Sequence, residues 1–284
     1  MMKKAIVIPN PTRDEGLCLT MQIISYLVSF GISVFVDRSY SLAESKGLTL
    51  YQTPPIDADV IIVVGGDGSV IDASILAIQL DIPILGVNLG KVGYLSEVEP
   101  DAVKNLSRLV TGEYTVEKKM LLASEIITED GDRKSCCRFA VNDVVISQDG
   151  YFGIACFSAE NSRREIVNYR GNGLIIATPV GSTAYSLSAG GPVIAHNLDS
   201  ITVTPVCPHS FFNRSIVYEP DECLTVTNTG ELALNISVDG RNFAVMNNGD
   251  KCKVYRSSHR LKMLTFSENN MFTALFRKIK VFEN

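Results

Sequence analysis

Ile61-Ile62-Val63-Val64-Gly65-Gly66-Asp67-Gly68-Ser69 joins an apolar, β-branched run to three glycines and one carboxylate. Apolar residues then recur at helical spacing, in Val70, Ile71, Ile75 and Ile78. The run reads as a buried parallel strand and its sequel as a helix, so the glycines occupy a strand-to-helix turn. Ser69 followed by Asp72 fits a capping box at the start of that helix. Glycines permit close backbone approach, and unpaired N–H groups at a helix start attract an anion. Asp67 is the odd member, because its charge repels phosphate. It makes sense as the acceptor of a proton from an attacking hydroxyl, or with a metal ion between it and the phosphates. The plainer reading is a tight turn whose aspartate helps cap the helix, and the local pattern leaves both open.

Outward from this turn, strands and helices alternate. Ala5–Ile8, Ile32–Val36, Val60–Val64 and Ile82–Val87 read as strands; Glu15–Phe30, ended by Gly31, and Asp101–Val110, ended by Gly112, read as helices. Such alternation predicts right-handed crossovers and a parallel sheet, with ligands beyond the C-terminal ends of the strands. The Gly65–Gly68 turn and Asn88–Tyr94 both lie at such ends. No GxxxxGK[ST] is present and no GxGxxG follows a strand, which sets aside P-loop NTPases and ordinary dinucleotide dehydrogenases. From about Tyr114 the pattern turns to short β-rich segments: Leu121–Ile127, Arg138–Ile146, Gly153–Ser158, Gly173–Thr178, Ser200–Pro205, Cys223–Asn228 and Leu234–Val238. The expected fold is α/β, an N-terminal parallel-sheet (Rossmann-like) domain over residues 1–117 with a β-rich domain over 118–265. In the last stretch, 266–284, Met271, Leu275 and Ile279 lie at helical spacing.

The 284 residues suit about two domains. With 46% apolar and 20% charged residues the chain reads as folded and soluble. A net charge of −5 argues against a general nucleic-acid binder. Met1-Met2-Lys3-Lys4 opens no secretory signal, and no apolar run approaches the ~20 residues of a membrane span. Seven scattered cysteines without a CxxC point to a reduced, cytoplasmic setting, and three separated histidines suggest no His-based metal site.

Two further stretches carry chemistry. Asn142-Asp143 interrupts the apolar pattern of Arg138–Ile146. Two adjacent polar groups cannot both face a core without cost, whereas an amide and a carboxylate can hold a ribose diol or an adenine edge. A β-bulge or a wet sheet edge is the plainer account. Tyr169–Pro192 combines a buried strand, a Gly-Ser-Thr turn, a short helix over Ser182–Ala189 and a Gly-Gly-Pro stop. Its hydroxyls, in Ser182, Thr183, Tyr185, Ser186 and Ser188, gather where the helix begins and suit a polar ligand.

Gly65–Gly68, Gly86–Gly90, Asn142-Asp143, Thr178–Pro192, Pro205–Ser210 and Ser237–Gly240 occur in the order found in bacterial NAD kinases, which the chain resembles over nearly its whole length. The Gly-Gly-Asp-Gly element alone is shared with diacylglycerol and sphingosine kinases; Thr178-Pro179 with Gly181–Tyr185 is more specific. The resemblance implies transfer of the ATP γ-phosphoryl group to the 2′-hydroxyl of the adenosine ribose of NAD, with a divalent cation, usually Mg²⁺. It implies Asp67 as the proton acceptor. Asp67, Gly68, Asn142, Asp143, Arg170, Asn172 and Thr183, Ala184, Tyr185, Ser186, Leu187 and Ser188 are implied as NAD-binding residues. It also implies a homodimer or homotetramer, and a segment 266–284 that packs back on the first domain. Whether ATP or polyphosphate is the donor stays open. Four positions depart from the family pattern: Asp143 for Glu, Asn172 for Asp, Lys119 for Arg and Ser215 for Pro. A lipid kinase and an inactive NAD-binding module are the alternatives. The first expects membrane association, of which the sequence carries no sign, and the second sits poorly with an intact Asp67.

Overall fold

The apolar run ahead of the glycines is buried at every position, as a strand with neighbours on both edges and layers on both faces must be. The structure, a computed structural model of the chain, describes residues 2–40, 42–43, 45–89, 93–128, 133–148, 153–209, 213–266 and 275. It divides into two units, Met1–Lys118 with Leu261–Asn284, and Lys119–Arg260. The sequence reading put the second boundary at 265/266, a few residues further along the chain. Residues 267–284, Leu275 apart, lie outside the described residues, and so does the helical spacing noted there.

In the first unit, β1 (Lys4–Pro9), β2 (Ser33–Asp37), β3 (Leu48–Tyr51), β4 (Val60–Gly65) and β5 (Ile84–Asn88) form a parallel sheet in the order β5-β4-β1-β2-β3. A short β6 (Ser96–Val98) pairs with β5. Helices α1 (Cys18–Ser29) and α2 (Asp67–Leu80) follow β1 and β4. The stretch Glu15–Phe30 does not start as one helix. A 3-10 turn, Glu15–Leu17, precedes α1, and Leu17 at its junction has a left-handed φ of 56°. The first N–H groups of α1 are met by Asp14, whose carboxylate accepts from the backbone of Leu19 at 3.0 Å and of Thr20 at 2.8 Å. The stretch Asp101–Val110 is likewise 3-10 over Pro100–Ser107 and α-helical only in α3 (Arg108–Thr111), closed by Gly112 at φ 81°.

The second unit is antiparallel. Its strands are β7 (Thr115–Ile127), which begins in the first unit, β8 (Arg133–Ala140), β9 (Asp143–Gln148), β10 (Ala155–Glu160), β11 (Ile166–Gly171) and β12 (Gly173–Ala177). After the one-turn helix α4 (Tyr185–Ser188) come β13 (Ile201–Val206), β14 (Ile216–Tyr218), β15 (Cys223–Asn228), β16 (Leu234–Val238), β17 (Arg241–Met246) and β18 (Lys251–Thr265). One sheet runs β14-β13-β12-β9-β16-β17, and a second includes β11-β10-β15-β18. Alternate residues of the two meet in one core, with Val144, Ile146, Leu174 and Ile176 from the first and Phe157, Val226 and Val254 from the second. β12 carries a second apolar face as well, formed by Ile175 and Ala177 with Val145 of β9, so its pattern reads as continuous rather than alternating.

Asp14 is buried and is the carboxylate that serves the start of α1. Asp14→Ala is expected to lower the unfolding free energy by about 2 kcal/mol, the upper range for losing a helix cap, read as a shift of the denaturant midpoint at unchanged slope.

Candidate active site

In the first unit β4 carries Gly65 and Gly66 to the start of α2. The helix begins at Asp67 with Gly66, extended at φ −100°, as its N-cap. Ser69 therefore lies inside the first turn and cannot form the capping box expected of it. Its Oγ instead accepts a hydrogen bond from Asn10 Nδ2 at 2.8 Å, which ties the loop after β1 to the glycine turn. A β-carbon on Gly65 would overlap Ser69, so this approach needs glycine.

Asp67 is half-buried and oriented by backbone. The N–H of Tyr94 donates to Oδ2 at 2.9 Å and that of Leu95 to Oδ1 at 3.0 Å. Gly93 lies against the same carboxylate so closely that any β-carbon there would overlap Oδ1. The Asp67 charge and burial together push the Tyr94 phenol above its ordinary range, burial contributing more. Gly68, next to Asp67, is exposed.

Arg13 was not singled out from the sequence. Its Nη1 lies 3.0 Å from where a β-carbon of Gly66 would be, which sets an exposed guanidinium at the glycine turn. The signal was available: β1 is the neighbour of β4, so the loop Asn10-Pro11-Thr12-Arg13 leaves the sheet at the same end. Among the described residues no group of three or more His, Cys, Asp or Glu side chains is placed to hold a metal ion.

In the second unit Asn142 and Asp143 do not lie in the middle of a strand. The Arg138–Ile146 pattern breaks into β8 and β9 at this point, and the break has a distant cause. The carboxylate of Asp239 accepts the N–H of Val141 at 2.8 Å, of Asn142 at 2.7 Å and of Asp143 at 3.1 Å, so these donors turn away from any strand ladder. On the carbonyl side, Thr178 donates its N–H to Asn142 O at 2.8 Å and its hydroxyl to Val141 O at 2.6 Å. Gly181 rests on the backbone of Asn142, where a β-carbon would overlap it. The Thr178–Gly181 stretch is thus moulded to the Asn142 corner.

Asp143 is 4% exposed. Burial, with the Asp239 carboxylate as a lesser cause, pushes its carboxyl up to about 7. Burial raises Asp239 too, but its three N–H donors pull in the opposite direction, so Asp143 is the member of the pair that holds a proton first.

The expected helix over Ser182–Ala189 is a 3-10 turn, Gly181–Thr183, followed by α4. Three of its hydroxyls are engaged within the fold, Thr183 among them, whose Oγ1 donates to Val180 O at 2.9 Å. Ser182 Oγ donates to Pro179 O at 2.6 Å and accepts from Ile194 N at 2.9 Å. Ser186 is buried and shares a 2.9 Å hydrogen bond with Thr204, which shares one of 3.0 Å with Ser215. Thr183 and Ala184 are half-buried, and Tyr185, Leu187 and Ser188 are exposed. Arg170 and Asn172 lie elsewhere, around the β11–β12 junction. There His209 donates its N–H to Arg170 O at 2.7 Å and Asn172 donates its own to Val206 O at 3.0 Å. Asn172 does not have the left-handed φ that a turn asparagine would explain. Asn142 meets Thr178, at the opposite end of β12, so strand rise puts about 20 Å between it and Asn172.

A family model described as the ATP-NAD kinase N-terminal domain matches residues 6–114, and one described as the ATP-NAD kinase C-terminal domain matches residues 141–266. The NAD kinase of Lachnoclostridium phytofermentans is 35% identical over 283 residues, covering 98% of this chain and 99% of its own. The NAD kinase of Geobacter sulfurreducens is 37% identical over 283 residues, with the same coverage of both. Among solved structures, yeast NADH kinase complexed with NADH has a TM-score of 0.86 at 20% identity, over 98% of this chain and 88% of that one. An Archaeoglobus fulgidus NAD kinase in complex with ATP has a TM-score of 0.74 at 21% identity, over 98% of both. At those identities the structural likeness speaks for the fold.

Asp143 gives the site a pH signature. Its folded value of about 7 is above the ~3.9 of an unfolded aspartate, so its contribution to stability is full below about pH 4 and lost as pH rises through about 7. Asp143→Asn removes that dependence. The mutant's unfolding free energy relative to the parent's is expected to rise steadily from pH 4 to pH 8, by an amount on the order of 4 kcal/mol at most, and its relative melting temperature with it. A difference that is flat across this range in thermal melts would contradict the assignment.

Proposed function

The chain belongs to the NAD kinase family, and we propose that it transfers the γ-phosphoryl group of ATP to the 2′-hydroxyl of the adenosine ribose of NAD, giving NADP and ADP. The observation that carries the catalytic assignment is the anchored Asp67, the carboxylate of a glycine turn at the C-terminal end of a parallel strand. Phosphoryl transfer asks for positioning and charge neutralisation more than for covalent chemistry. As the 2′-oxygen forms its bond to the γ-phosphorus, its proton passes to Asp67 and the bond to the ADP oxygen breaks. Asp67 suits this role because two backbone amides fix its oxygens at the start of the helix.

In the same reading Gly68, Asn142 and Asp143 hold NAD, with the Asn142 amide and the Asp143 carboxyl offered to ribose or adenine. A protonated Asp143 donates a hydrogen bond where an ionised one only accepts. Thr183, Ala184, Tyr185, Leu187 and Ser188 line the ligand, while Ser186 supports them from inside. Arg170 and Asn172 are assigned to NAD by family position. The Arg13 guanidinium is available to donor phosphates at the glycine turn. Mg²⁺ would neutralise phosphoryl charge when bound. Mg²⁺ is commonly held by one or two carboxylates together with substrate phosphates, so it needs no ready-made protein cage. ATP rather than polyphosphate as donor, a cytoplasmic setting and a homodimer or homotetramer complete the proposal. Among the described residues no helix is long and apolar enough to cross a membrane.

A coupled assay with ATP, Mg²⁺ and NAD tests the activity, and polyphosphate in place of ATP tests the donor. Asp67→Asn should lower kcat at least ~100-fold, the low end for losing a general base. A folded mutant of near-parental kcat would remove Asp67 from the mechanism. Gly93→Ala should push the Asp67 carboxylate aside and lower kcat at least ~10-fold, with the KM for NAD changed less than about twofold. A KM effect without a kcat effect would show that Gly93 does not position Asp67.

A further inference from the structure

We propose that Asp239 is a positioning residue for the NAD site: its carboxylate gathers three backbone N–H groups and thereby aims the Asn142 amide. The proposal rests on the reading that Asn142 and Asp143 hold NAD. Asp239 and Gly240 form the two-residue turn between Val238 of β16 and Arg241 of β17. Both have positive φ, 49° and 76°, as a type I′ hairpin turn requires, and Asp-Gly is among its preferred pairs. That turn alone would account for an aspartate there. It does not account for where the side chain goes. Oδ1 accepts from Asn142 and Asp143 and Oδ2 from Val141, while the Asp239 N–H donates back to Asp143 O at 3.0 Å. Successive backbone N–H groups converging on an anion make a nest, and here the anion belongs to the protein. The corner so formed is clasped from its other side by Thr178 and covered by Gly181. Asn142 therefore has both backbone neighbours fixed by residues distant in the chain, and the direction of its Cα–Cβ bond is set with them.

Asparagine separates the two accounts. Asn-Gly suits a type I′ turn as well as Asp-Gly does, so Asp239→Asn keeps the hairpin. It puts an amide NH₂ where one carboxylate oxygen stood, facing a backbone N–H, and removes the charge from the bonds that remain. With ATP, Mg²⁺ and NAD as probes, the KM for NAD should rise roughly 10-fold in Asp239→Asn, with the KM for ATP moving less than about twofold. Asp239→Ala should act more strongly. Because Asp239 works through Asn142, the double mutant Asp239→Ala/Asn142→Ala should add little to the effect of Asn142→Ala. Equal rises in both KM values in Asp239→Asn, or fully multiplicative single effects, would mean a general structural role and overturn the proposal. A KM for NAD raised by Asn142→Ala but not by Asp239→Asn overturns this inference alone. A KM for NAD unmoved by Asn142→Ala overturns the underlying NAD reading, and this inference with it. Should Asp239→Ala fail to fold, Asp239→Asn and Asn142→Ala still decide the matter.

Discussion

Three hydrogen bonds from consecutive backbone amides to the Asp239 carboxylate close the corner that carries Asn142 and Asp143 in the second unit. Hydrogen bonds to a charged acceptor are worth about 1.5–3 kcal/mol each, more than neutral ones, and leaving such donors buried and unmet costs a similar amount. The same device recurs at Asp67, which accepts from Tyr94 and Leu95, and at Asp14, which accepts from Leu19 and Thr20. In each case a loop or helix start leaves backbone donors that no ladder satisfies, and an aspartate collects them. In the proposed function Asp67 also puts its charge to use as the proton acceptor, and in the proposed positioning role Asp239 acts through Asn142.

Placing Asp239 so close to Asp143 has an electrostatic cost. A buried carboxyl and a half-buried one beside it cannot both ionise freely, and the one with the N–H donors keeps its charge more readily. The family pattern has Glu where this chain has Asp143. The shorter side chain keeps the carboxyl close to the backbone corner, where it is 4% exposed. The site thus holds a carboxyl that changes its hydrogen-bonding character near neutral pH, beside an amide that does not.

Much of this was legible in the chain. The β4 run, its glycines and the helix after them form one local unit, and neighbouring residues determine all of it. The parallel sheet followed from the alternation of strands and helices, and the second unit's strands from their β-branched composition. What escaped depended on partners far along the chain. Ser69 resembles a cap, but Gly66 has the extended backbone that begins the helix, and Ser69 is engaged by Asn10. The strand through Asn142 is broken by a carboxylate 97 residues later. Arg13 and Gly93 reach the glycine turn through sheet order and close packing, neither of which periodicity records.

The hydroxyls of Ser186, Thr204 and Ser215 form a chain, and each has a single proton. Thr204 can therefore donate across only one of its two links, and at least one of the two serines must donate to it. Ser186, on the inner side of the one-turn helix, and Ser215, outside that helix, are thereby joined through one hydroxyl. The family pattern has proline at 215, and a proline there would leave Thr204 with the Ser186 link alone.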